Sequence, residues 1–109
     1  MKNLEDIITA LKQFRDDREW AQFHNSKDLA LSISVEAAEL LELFQWKGNE
    51  DVELDRLKDE LADVIAYCLL LADKHDLDVI QILQNKIKSN GEKYPVEKAK
   101  GTATKYTNL

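Results

Sequence analysis

The chain is poor in the residues that interrupt or cross-link a fold. Of 109 residues one is proline and three are glycine. That scarcity argues against a turn-rich β architecture and for long helices joined by few loops. A single cysteine, Cys68, excludes an internal disulfide. Its apolar neighbours make it an expected core residue rather than a reactive thiol. No apolar run approaches the ~20 residues of a membrane span, and Asn3, Glu5 and Asp6 leave no apolar leader at the start. The expectation is a cytoplasmic protein with no membrane partner. Basic charge is also in deficit: 15 Lys and Arg face 21 Asp and Glu, for a net charge of −6. That balance disfavours nucleic acid as a partner.

What the chain does contain is ordinary for a soluble domain, 44% hydrophobic and 33% charged. Its length suits one domain over residues 1–109, with enough chain for a core. The charge is uneven. From Gln84 onward six lysines (86, 88, 93, 98, 100 and 105) face only Glu92 and Glu97, so this end carries about +4 and the rest about −10. A basic end on an acidic body can reach toward a bound polyphosphate. A solvated tail is the plainer reading.

Periodicity predicts four helices and no strand. The first runs from about Leu4 to Gln22, with Asn3 as N-cap and Ile7, Ile8, Leu11 and Phe14 as its apolar stripe. His24-Asn25-Ser26 breaks it. The second runs from about Lys27 to Trp46 and stops at Gly48-Asn49. The third runs from about Val52 to His75. The fourth runs from about Asp78 to Glu92, ended by Gly91 and Pro95, and an irregular tail follows from about residue 95. Helices two and three are apolar around much of their circumference. Four helices make too thin a bundle to cover both sides. An oligomeric four-helix bundle, dimer or tetramer, is therefore expected, with helices two and three at the interface.

Within these helices stand two acid pairs, Glu36-x-x-Glu39 and Glu60-x-x-Asp63. Residues three apart share a helix face, so each pair presents two carboxylates side by side. Ser32, Glu36 and Glu39 fall on one stripe; Arg56, Glu60, Asp63 and Tyr67 fall on another. An antiparallel hairpin across the short Lys47–Asp51 connection would bring the pairs together. Acids in apolar settings need a counter-charge. Either Lys and Arg supply it, or a hard cation does. An all-oxygen cage without His or Cys suits magnesium, or manganese, better than zinc. A di-iron bundle would need Glu-x-x-His, which neither His24 nor His75 completes.

The sequence resembles the all-α nucleoside triphosphate pyrophosphatases of the MazG-like superfamily, and within them the dCTP pyrophosphatases. The two acid pairs match the family signature. Trp20-x-x-Phe23-His24, Glu42-Leu43-Phe44-Gln45-Trp46-Lys47, Asp63-Val64-Ile65-x-Tyr67, Lys86, Asn90, Lys93-Tyr94-Pro95 and Lys105-Tyr106-Thr107 extend the match from about Phe14 to Leu109. The resemblance implies hydrolysis of a nucleoside triphosphate, dCTP or a modified dCTP, to the monophosphate and pyrophosphate. It implies Mg²⁺ on Glu36, Glu39, Glu60 and Asp63, with one acid accepting the water's proton. By analogy Trp20, His24, Trp46 and Tyr67 would enclose the base, and Lys86, Asn90 and Lys93 would contact phosphate or sugar.

Plainer readings stand beside each. Trp46 could anchor a helix end and Tyr67 an interface. His24 could be a capping residue, and Lys86, Asn90 and Lys93 could simply be solvated. Two other functions stay open: a related hydrolase with dUTP or a broad range of triphosphates as substrate, and a non-catalytic helical module that binds a partner.

Overall fold

The computed structural model describes residues 3–48 and 50–109 and divides into two compact units, Met1–Asp76 and Leu77–Leu109. Among the described residues there are helices and no strands. In the first unit α1 spans Leu4–Asp17, a 3₁₀ turn spans Trp20–Phe23, α2 spans Ser26–Glu42 and α3 spans Leu54–Lys74. In the second, α4 spans Val79–Lys93, α5 spans Val96–Ala99, and a 3₁₀ turn spans Tyr106–Asn108.

The helix starts follow from side-chain caps. Asn3 Oδ1 accepts from the Asp6 amide at 2.9 Å and Asn25 Oδ1 from the Asp28 amide at 2.8 Å. Asp78 Oδ1 accepts from the Gln81 amide at 3.1 Å. Each satisfies an amide that has no partner inside its helix.

The stops differ from expectation. The first helix ends at Asp17 rather than Gln22, because Glu19 turns to φ 55° and redirects the chain into the 3₁₀ turn that carries Trp20. The second ends at Glu42, and the following residues tighten into i→i+3 bonds, from Leu43, Phe44 and Gln45 back to Leu40, Leu41 and Glu42. The left-handed residue there is Trp46, at φ 64°, not the expected Gly48; Asn49 lies outside the described residues. Gly91 sits inside α4 and does not end it. The tail is not wholly irregular: Pro95 caps α5, and Gly101, at φ 76°, takes the turn beyond it.

In the first unit α2 packs along α3, and α1 packs on α3 and on its own 3₁₀ turn. The α2–α3 hairpin is antiparallel. The connection from Glu42 to Leu54 is longer than the expected Lys47–Asp51 loop, because both helices end short of the expected bounds; at the far end Ser26 Oγ lies 2.8 Å from His75 Nε2. Its core is narrow: Leu29, Leu43, Leu69, Leu70 and Ala72 are the buried hydrophobics. Large apolar side chains stay exposed on the other faces, including Leu31 and Val35 on α2 and Leu61 and Ile65 on α3. Cys68 continues the Leu61–Ile65 stripe and is exposed, contrary to the expectation of a core thiol. In the second unit α4 shows Ile80, Leu83 and Ile87. No described helix is long and apolar enough to cross a membrane.

With so few buried side chains, each one weighs heavily. Leu29, 2% exposed, is the largest fully buried residue. Leu29→Ala is expected to lower unfolding free energy by about 2–5 kcal/mol, and Asn25→Ala by about 1 kcal/mol through loss of a cap. Urea titrations of both variants against the parent measure the two values.

Candidate active site

The α2–α3 hairpin brings the acid pairs together. Carboxylate oxygens of Glu36, Glu60 and Asp63 lie within 4.8 Å of one another, with Glu36 and Glu60 half-buried and Asp63 exposed. Glu39, exposed one turn beyond Glu36 on α2, stands just outside that set, and its charge acts on both Glu36 and Glu60. The local cause is register. Glu36 and Glu39 lie one turn apart on α2, Glu60 and Asp63 one turn apart on α3, and the antiparallel pairing sets the two stripes face to face.

Among the described residues no Lys or Arg pairs with them. The ion pairs among the described residues are Lys12–Asp73 at 3.5 Å and Arg15–Asp16 at 2.8 Å. Arg56 favours ionised Glu60 through its field without pairing with any of the four acids. The alternative in which Lys or Arg balances each pair is therefore not what the described residues show. The consequence is electrostatic. Loss of hydration, then the neighbouring Glu39, Asp63 and Glu60, push the Glu36 carboxyl up to about 7. Loss of hydration and the fields of Glu39 and Asp63 also raise Glu60. Glu36 Oε2 and Glu60 Oε2 are buried without a hydrogen-bond partner. Two orphaned carboxylate oxygens, in a set of oxygen donors with no balancing charge, fit a hard divalent cation.

Beside the acids opens a cavity of about 330 Å³, lined by Leu11, Phe14, Arg15, Trp20, His24, Asp63, Ala66, Tyr67 and Leu70. It gathers three of the four expected aromatic residues, Trp20, His24 and Tyr67, and shares Asp63 with the acid cluster. Phe14 and Trp20 meet edge to face at 5.8 Å, and His24 and Tyr67 at 6.4 Å. Arg18 covers the outer face of Phe14, 3.6 Å from its ring centre. Burial lowers the His24 pKa, helped by Arg15 and Lys74, so its ring is neutral near pH 7 with Nδ1 unpaired. A second, more open hollow of about 460 Å³ runs between Ile7 and Leu11 on α1 and Ala62, Asp63, Ile65, Ala66 and Leu69 on α3.

Trp46 does not join this cavity; it is wholly exposed on the α2–α3 turn. Lys86, Asn90 and Lys93 belong to the second unit, where they share one exposed face of α4. Lys93 Nζ lies 5.0 Å over the Tyr106 ring, which itself meets Tyr94 at 5.9 Å. Phe14 and Arg15 are cavity residues that the sequence reading did not select. Phe14 belongs to the expected apolar stripe of the first helix. Arg15 follows it on the same face of α1 as Leu11, three and four residues on, and that spacing was the available signal.

The MazG-like family matches residues 31–109. Mouse dCTP pyrophosphatase 1 is 38% identical over 114 aligned positions, taking in 97% of this chain and 67% of the mouse protein. Human dCTP pyrophosphatase 1 is 36% identical with the same coverage. The crystal structure of a pyrophosphatase from Archaeoglobus fulgidus superposes with a TM-score of 0.77 at 39% identity, over 84% of this chain and 92% of that one. All-α in structure and similar in sequence to pyrophosphatases along nearly its whole length, the chain belongs to the MazG-like family.

Proposed function

We propose that the chain is a divalent-metal-dependent nucleoside triphosphate pyrophosphohydrolase. Its substrate is a deoxynucleoside triphosphate, dCTP or a modified dCTP, and its role is to clear such nucleotides from the pool. One observation carries this reading: an uncompensated carboxylate cluster shares Asp63 with an aromatic cavity large enough for a nucleobase. The named activity of the mouse and human relatives supports the choice of dCTP.

In this reading Glu36, Glu39, Glu60 and Asp63 hold Mg²⁺, or Mn²⁺, through their oxygens. When bound, the ion supplies charge neutralisation at phosphate oxygens and lowers the pKa of water. The chain's own residues do the rest. Trp20, Tyr67 and Phe14 flank the base, and stacking contributes roughly 1–3 kcal/mol per base. Neutral His24 offers one donor and one acceptor to the base or sugar. Asp63, on the cavity wall, fixes how far the base lies from the acids. A carboxylate of the cluster takes the attacking water's proton. The bond between the α- and β-phosphates breaks, hydroxide adds to phosphorus, and pyrophosphate leaves with the bond's electron pair. Lys86, Asn90 and Lys93 are assigned to phosphate or sugar contacts.

We also assign a homo-oligomeric state, dimer or tetramer, because Leu31, Val35, Leu61 and Ile65 leave apolar faces of α2 and α3 uncovered in one chain. Sedimentation velocity at micromolar concentration should show a dimer or tetramer; a stable monomer contradicts the assignment.

Trp20→Ala should raise KM for the nucleotide much more than it lowers kcat, since stacking acts equally on ground and transition states. Steady-state kinetics on dCTP, with pyrophosphate release as readout, separates the two constants. A loss confined to kcat would remove Trp20 from the binding wall.

Asp63→Asn tests the acids. In EDTA the variant should be at least as stable as the parent, because one of several mutually repelling charges is gone. With Mg²⁺ the parent should gain stability by mass action, and the variant should gain less and lose hydrolysis almost completely. The pH dependence has a definite sign. Glu36 has its pKa raised from 4.5 to about 7 in the fold. Its protonated form therefore contributes stability that is complete below the ordinary carboxylate range and lost as pH rises through about 7. Removing the Asp63 charge lowers that pKa, so between pH 5 and pH 7.5 the metal-free parent should lose more stability than Asp63→Asn. Thermal melts of both proteins, with EDTA and with Mg²⁺, check each part. A strong destabilisation of the variant in EDTA, with no Mg²⁺ shift in the parent, would falsify the metal site.

A further inference from the structure

The cavity holds one permanent cation. Arg15 lines it, and its side chain is only 18% exposed. Its Nε donates to Asp16 Oδ1 at 2.8 Å, which fixes the guanidinium plane. Its two terminal nitrogens make no other hydrogen bond among the described residues. A guanidinium is donor-only, with a planar fork that matches two adjacent acceptors. The Asp16 carboxylate meets the Nε edge and balances the charge, so what the cavity receives is the outer edge of the fork, two donor nitrogens with no acceptor among the described residues.

We propose that Arg15 is a specificity-determining residue that reads the edge of a cytosine base in the aromatic cavity. This rests on the reading of that cavity as the nucleobase site. Cytosine carries two neighbouring acceptors, N3 and O2, which the fork can meet together. Uracil and thymine carry a hydrogen on N3, which opposes the same donors, and leave single carbonyl oxygens. Rejection by an unpaired donor is a stronger discriminator than shape alone. The placement favours the base over the phosphates. Arg15 lines the cavity with Phe14, Trp20, His24 and Tyr67, and of the four acids only Asp63 shares that lining. The triphosphate belongs with those acids.

The test compares kcat/KM for dCTP and dUTP in the parent, Arg15→Met and Arg15→Lys. Met keeps the apolar stem, so packing against Leu11 and Phe14 survives; circular dichroism and the melting midpoint check the fold. In Arg15→Met, kcat/KM for dCTP should fall roughly tenfold to a hundredfold, mainly through KM, while that for dUTP changes by less than about threefold. Arg15→Lys keeps the charge but not the fork, and should lie between the parent and Met. An equal loss on both nucleotides, the outcome of a phosphate contact or a purely structural role, overturns the inference. So does an unchanged ratio, or a parent that prefers dUTP. A parent that hydrolyses no nucleoside triphosphate overturns the function itself, and this inference with it. An active parent whose selectivity survives both substitutions overturns the inference alone.

Discussion

The antiparallel contact between α2 and α3 is the constraint on which the remainder depends. It buries Leu29 on α2 and Leu69, Leu70 and Ala72 on α3, with Leu43 buried just past the end of α2. Hydrophobic burial is non-directional, so it does not choose what else is brought along. Here it carries Glu36 toward Glu60 and Asp63, and among the described residues no Lys or Arg pairs with them. The packing holds together charges that would otherwise move apart; loss of hydration first, and then these neighbouring charges, raise the Glu36 pKa. A site of this kind is preorganised for a cation because the apolar contact holds its ligands in place before any ion arrives.

The aromatic cavity depends on the same helix. Asp63, Ala66, Tyr67 and Leu70 are three, four and seven residues apart on α3, so a single face supplies both an acid and the cavity floor. The opposite wall comes from α1 and from the 3₁₀ turn behind it. That turn follows from Glu19, whose left-handed conformation costs about 1 kcal/mol because its Cβ crowds the following carbonyl oxygen. The redirection is what places Trp20 across from Tyr67.

How much of this was legible in the sequence follows from the range of each signal. The acid pairs and their helices were readable because i,i+3 spacing is local and the period of 3.6 is robust over long segments. Their convergence was also readable, since a short connection leaves few alternatives to an antiparallel hairpin. Helix ends were less so. Glu19 and Trp46 adopt positive φ where a glycine would be expected, and nothing in their identity announces it. Cys68 was misplaced because an apolar segment reads as buried whether its face meets a helix of the same chain or stands open. Arg15 was passed over because charge on a helix usually means solvent, and its place on a cavity wall is a tertiary fact. Trp46 shares the family pattern with Trp20, yet within one chain only Trp20 reaches the cavity.

Asp63 stands on the walls of both hollows and in the acid cluster. One carboxylate therefore meets whatever occupies each of the three. Two occupants that share a contact cannot bind independently: if one changes the affinity of the other by some factor, the reciprocal factor is the same. Under the proposed function, a cation that withdraws the Asp63 charge from the cavity wall would make that wall less repulsive to an electron-rich ring. The ring, once seated, holds Asp63 where the cation needs it. Cation and nucleotide should accordingly show heterotropic linkage through this single side chain, with no conformational change required.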